Sequence, residues 1–152
     1  MANNEKHFVQ GLAPIADAFA GTVNCDVAKG NCDAITILYY QGVGTTGTST
    51  LTVDACDNVT PSNTTAVPFE YRINTATDVF GDWTAATTAG FTTTAGSAQV
   101  YELRVDPAEL AEEGYEYFRL TATESANAAV LGGVMYILEG LRYGPQNVTT
   151  IT

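Results

Sequence analysis

The sequence predicts an all-β fold: a single β-sandwich of jelly-roll-like type with about eight strands. Three observations predict it. Short runs of β-branched and aromatic residues recur along the chain, with threonine the commonest residue. Gly, Pro, Asn and Asp break these runs at close intervals. One charge pattern occurs twice: residues 69–73 and 101–105 each place three apolar residues on one strand face and a Glu/Arg pair, Glu70/Arg72 or Glu102/Arg104, on the other. No helical periodicity of useful length and no longer repeat competes with this reading.

The 152 residues suit one domain with a real core, and 45% hydrophobic against 15% charged residues is a globular composition. Residues 1–21 read as an extended N-terminal arm, and 22–152 as the sandwich. In the arm, Phe8, Val9, Leu12, Ile15 and Phe19 follow neither strand nor helix spacing, so it packs either on its own domain or on a neighbour. Val23, Cys25 and Val27 alternate with polar residues as a short strand. A turn at 28–33 and a β run at 35–40 suggest a hairpin with it. Residues 41–48 are a glycine-rich loop, 49–55 a strand and 57–67 a polar loop. The first Glu/Arg strand follows at 69–74.

Short strands are expected around Trp83 and at 91–94, and the second Glu/Arg strand at 99–105. Asp106 and Pro107 have the chemistry of an N-cap and a first helical position, which predicts one short helical turn. Residues 115–123 form a strand with Phe118, Leu120 and Ala122 on one side. A last, nearly all-apolar strand covers 132–142.

The formal charge of −11, with only six Lys and Arg, argues against nucleic acid and against anionic membrane surfaces. The apolar run at 130–138 is too short to span a bilayer, and the first twenty residues hold no continuous apolar signal region. Cys25, Cys32 and Cys56 fit no zinc pattern. Free thiols suit a reducing compartment, and a loop-closing Cys25–Cys32 bridge stays open.

Catalytic constellations are hard to assemble. His7 is the one histidine, and there is no nucleophile elbow. Glu112 and Glu113 are adjacent in a turn, and Glu70 and Glu102 are better used in cross-strand ladders with Arg72 and Arg104. Asp26, Asn31 and Asp33, or Asp54, Asp57 and Asn58, lack calcium-loop spacing. Trp83 with several tyrosines offers a sugar-stacking platform, but Tyr71, Tyr101, Tyr115, Tyr117 and Phe118 are better read as core or interface residues at period two. The reading is a non-enzymatic protein without cofactor or metal.

Several phrases carry a resemblance. They are Thr48-Ser49-Thr50-Leu51-Thr52-Val53-Asp54-Ala55-Cys56-Asp57, the loop from Thr60-Pro61 to Pro68-Phe69, and Ala89-Gly90-Phe91-Thr92-Thr93-Thr94-Ala95-Gly96. Val105-Asp106, Val130-Leu131-Gly132-Gly133-Val134 with Leu141-Arg142-Tyr143, and His7-Phe8-Val9-Gln10-Gly11-Leu12 complete them. Together they span nearly the whole chain, and the chain resembles a family of small virion proteins of tailed bacteriophages.

The resemblance implies a capsid decoration (cement) protein. Such a protein is made in the host cytoplasm and binds the major capsid protein on the outside of the head, commonly as a homotrimer. Phe8, Val9, Leu12, Ile15 and Phe19 of the arm and Val134, Tyr136 and Leu138 of the last strand are the expected partner contacts. The alternatives are another virion component (tail, head–tail or fibre) and a carbohydrate-binding β-sandwich.

Overall fold

Thirteen antiparallel strands build two sheets among the residues described by the structure, a computed structural model covering 6–18, 20–96 and 98–141. In chain order these are β1 (Lys6–Ile15), β2 (Thr22–Asn24), β3 (Ala28–Lys29), β4 (Ala34–Gln41), β5 (Thr48–Cys56), β6 (Thr64–Val67) and β7 (Phe69–Ala76). Then follow β8 (Val79–Phe80), β9 (Thr84–Ala86), β10 (Phe91–Thr92), β11 (Gln99–Val105), a helix α1 (Pro107–Glu112), β12 (Tyr117–Ala126) and β13 (Gly132–Glu139). The first sheet runs β1-β13-β4-β11-β7-β8, with β9 also on β7. The second runs β10-β5-β12-β2, with β6 on β5 and β3 on β12.

The sandwich is the expected one, and the long strands lie where alternation placed them. Alternation also sets what is inside. Ile35, Ile37 and Tyr39 of β4, Tyr101, Leu103 and Val105 of β11, and Val134, Tyr136 and Leu138 of β13 face inward. They form one buried cluster with Leu51, Val53, Phe118 and Leu120 of the second sheet. Aromatic rings tie the layers together. Phe91 of β10 stacks on Tyr71 of β7 with ring centroids 3.7 Å apart, and Phe118 of β12 meets Tyr136 of β13 at 4.9 Å.

Tyr136 does more than fill space. Between β2 and β3 the edge of β12 has no strand partner, and two groups close the gap. Cys25 N–H donates to Leu120 O at 2.9 Å, and Leu120 N–H donates to the Tyr136 hydroxyl at 3.1 Å. That hydroxyl donates onward to the carbonyl of Asp26 at 2.9 Å. Burial pushes its pKa well above that of an ordinary tyrosine, so it stays a donor.

Four expectations change. The arm is not a free extension over 6–15, because this segment is β1, paired with β13 from Lys6↔Glu139 to Ile15↔Gly132. Two register shifts, between Gln10 and Leu12 and between Leu12 and Ile15, hid its period from the sequence. Gly11 sits at the first, where a Cβ would come within 2.7 Å of the Tyr136 ring.

The hairpin expected between 23–27 and 35–40 does not form. β2 and β3 pair with β12 in the second sheet, while β4 belongs to the first. The polar loop at 57–67 ends in a strand, β6, returned onto β5 by a turn. The Asp57 carboxylate closes that turn, accepting from Ser62 N and Asn63 N at 3.0 and 3.1 Å. The strand count rises above eight because β1, β6 and the two-residue strands β3 and β8 were not expected, whereas β2, β9 and β10 lie where short strands were.

The helical turn formed as its cap predicts: the Asp106 side chain accepts from Ala108 N at 2.9 Å and Pro107 takes the first helical position. Cys25, Cys32 and Cys56 are all buried and none is in a disulfide. Burial pushes the Cys25 thiol up to about 12 and the Cys56 thiol up to about 11. An alkylating reagent at about pH 8 is therefore expected to leave the native protein unmodified, because thiolate is the reacting form. Unfolding should expose all three thiols, whereas rapid labelling of native protein would contradict this packing.

Candidate interaction face

The outer faces of the two sheets differ in kind. On the second, threonines and charges satisfy one another. Asp54 of β5 accepts from the Thr121 hydroxyl of β12 at 2.6 Å and faces Arg119 Nε at 3.5 Å, while Thr121 also reaches Asn24 at 3.2 Å. Thr50 joins Thr92 and Ser125, each at 3.1 Å. Asp54 and Asp57, considered together as oxygen ligands, are thus separated: one serves the sheet and the other its own turn. Among the described residues no group of three or more His, Cys, Asp or Glu stands close enough to hold a metal ion.

The outer face of the first sheet divides into halves. Over β11 and β7 the two Glu/Arg pairs lie directly opposite in register, Glu102↔Arg72 and Arg104↔Glu70. Arg72 and Glu102 are bonded at 2.6 Å, one rung of the expected ladder. Side chains from the edge segment paired with β7 then reach over this half. Arg72 lies 4.7 Å from the Phe80 ring and 4.6 Å from the Trp83 ring, and Arg104 lies 4.2 Å from Trp83. Trp83 thus packs against two guanidinium groups while staying half-exposed.

Among the described residues nothing covers the other half in this way, over β4, β13 and β1, and its side chains are largely apolar, with Gln10 beside Met135. The registers Phe8↔Ile137↔Thr36, Met135↔Leu38 and Gly133↔Tyr40↔Val100 put these side chains in adjoining rows. Phe8 is 57%, Tyr40 60% and Met135 45% exposed. At one end the surface continues through Leu131 and Val43, joined by the Leu131 N to Val43 O bond. Among the described residues, five of the eight exposed large hydrophobic side chains therefore lie on this half-face or at its end, a concentration that singly scattered residues would not give. Its charges cancel, since Lys6 and Glu139 pair at 2.7 Å.

From Glu139 to Leu131 the half-face runs about 27 Å at ~3.3 Å per residue, and three strands ~4.8 Å apart plus side chains make it about 15–20 Å wide. Its area is thus on the order of 400–500 Å², the size of patch that on a soluble monomer is often functional.

The expected contact residues are split by the fold. Phe8 lies on the bare half-face, and Ile15 is exposed at the end of β1 opposite Gly132. Val9 and Leu12 pack against the core, and Val134, Tyr136 and Leu138 are inside it and offer no surface while the sandwich is intact. Phe19 lies outside the described residues. The apolar residues of this half-face, Tyr40, Leu38, Met135, Ile137 and Leu131, were not among the expected contacts. The signal was present: a strand apolar on both sides, as 132–138 is, has both faces to cover, and the core covers one.

The solved structure of the SPBc2 prophage-derived protein YomS is similar to this chain at 11% identity, over 92% of this chain and 97% of that one, with a TM-score of 0.48. A likeness at that level carries no argument about function. No protein-family model and no curated protein matches the chain. No helix among the described residues is long and apolar enough to cross a membrane.

Proposed function

We propose that this chain is a non-enzymatic structural protein of a tailed-phage virion, of the capsid decoration (cement) type. It works by contact, binding the major capsid protein on the outside of the head and adding bonds between subunits. The sequence phrases that resemble small virion proteins support the virion part of this reading. The observation that carries the contact part is the bare apolar half-face. Next to it Phe80 and Trp83 cover the same sheet from within the chain, so the uncovered half is a surface that another protein completes. The acidic balance fits a place outside the shell, where the protein does not compete for the genome.

The test is the composition of washed particles. The protein is expected to co-purify with virions in a fixed ratio to the major capsid protein. Its absence from particles washed free of soluble protein would overturn the reading.

A further inference from the structure

We propose that the chain docks by one end of the sandwich, where the loops at 42–47, 94–96 and 127–131 converge. That end is uncharged and is seated on the capsid shell, while the acidic end around α1 points away into solvent. The inference rests on the contact reading above and gives it an orientation. Charge, rigidity and continuity carry it.

The three longest runs of the chain without Asp, Glu, Lys, Arg or His are 34–53, 83–101 and 125–138. Far apart in sequence, they meet at one end of the fold. Gln99 of β11 and Gly132 of β13 both pair with Gln41, the last residue of β4, so the loops that adjoin these residues stand side by side. Asp17 and Glu124 stand at the border of this end, accepting from Val130 N and Gly21 N, each at 3.3 Å, while Asp78 lies out on the β7–β8 turn.

The opposite end is the reverse. Val105 pairs with Ile35 at the far end of the same two strands, and α1 follows it. Residues 106–116 hold five carboxylates and no cation. A chain of net charge −11 meets least repulsion from an acidic or neutral protein through ground that carries no charge. The centres of protein interfaces are likewise depleted in charged residues.

The uncharged end is also tied together by its own backbone. Ala98 N–H donates to Gly42 O at 2.8 Å, Gly42 N–H to Leu131 O at 2.6 Å, and Leu131 N–H to Val43 O at 2.9 Å. The buried Gln41 side chain donates from Nε2 to Gly96 O. What these bonds hold out to solvent is short: Thr45, Thr46, Thr94, Ala95 and Ala129 are exposed, and Val43 is 73% exposed. A backbone already tied, carrying short side chains, loses little conformational entropy when a partner covers it. Through Leu131 the end is continuous with the apolar half-face of the proposed contact.

Binding of the full chain to assembled shells of the major capsid protein tests the orientation. Affinity should change less than about twofold between about 0.05 M and about 0.5 M salt, because screening has no charged contact to weaken. Val43→Asp and Val43→Lys should each weaken binding at least about tenfold, since either charge would be covered without a partner. Val43 is exposed, so both variants should melt like the parent. Glu112→Lys combined with Glu113→Lys, at the acidic end, should bind within about twofold of the parent.

An affinity that falls about tenfold or more with salt, or is lost on the Glu112 and Glu113 reversals, would make the acidic end the docking end and overturn the proposal. Val43 variants that bind as the parent does would also overturn it and leave the virion reading standing. A parent that leaves the shells bare at every concentration would bring down both.

Discussion

Gly90→Ala is expected to lower the stability of the protein by about 3 kcal/mol or more, from a φ penalty of ~1–2 kcal/mol plus a backbone collision. Gly90 has a φ of +74°, and a Cβ there would lie 2.0 Å from the carbonyl oxygen of Leu51. Leu51 is the register partner of Phe91, so the collision falls on the pairing of β10 with β5. Moving that pair would displace Phe91, whose ring stacks on Tyr71 at 3.7 Å and neighbours Tyr101 at 5.8 Å. One methyl group thus disturbs a turn, a strand pair and the aromatic bridge between sheets. Urea unfolding checks it: the midpoint should fall with little change in slope. A parent-like midpoint would mean that the close approach at Gly90 is not maintained.

Tyr136→Phe is expected to cost about 2–4 kcal/mol, since it removes one oxygen that two backbone groups share, each worth ~1–3 kcal/mol when left unmet in the interior. Leu120 N–H loses its acceptor and Asp26 C=O its donor. The phenylalanine ring preserves the packing against Phe118, so the loss isolates the hydrogen bonds from the cavity effect. The same unfolding measurement reads it. A change below about 0.5 kcal/mol would show that the gap between β2 and β3 is closed by other means.

Alternation made the long strands legible, because a sheet with one face in a core repeats every second residue. The Glu/Arg strands at 69–73 and 101–105 were legible even to their pairing, since opposite charges on one face must find partners across the ladder. The two-residue strands β3 and β8 were not, because two residues carry no period, while β2, β9 and β10 showed through Val23, Trp83 and Phe91. β1 escaped for a different reason: its two register shifts break the alternation that would have marked it.

The contact face was half legible. Val134, Tyr136 and Leu138 stood out as apolar, and so did Met135 and Ile137 between them, but spacing does not say which set faces inward. Strand order decides that, and strand order is a long-range fact. The covering of Arg72 and Arg104 by Phe80 and Trp83 belongs to the same class. It gives Trp83 a packing role in the fold, and among the described residues it leaves the β4–β13–β1 half without such cover.

The proposed role of this sandwich is to bind a phage head. Mixing the purified protein with assembled shells of the major capsid protein, and weighing what sediments with them, tests it most directly. That role predicts saturable binding at a fixed ratio per capsid subunit, with shells that resist heat better when covered. A protein that stays in the supernatant at every concentration, with shells that melt unchanged, would contradict it.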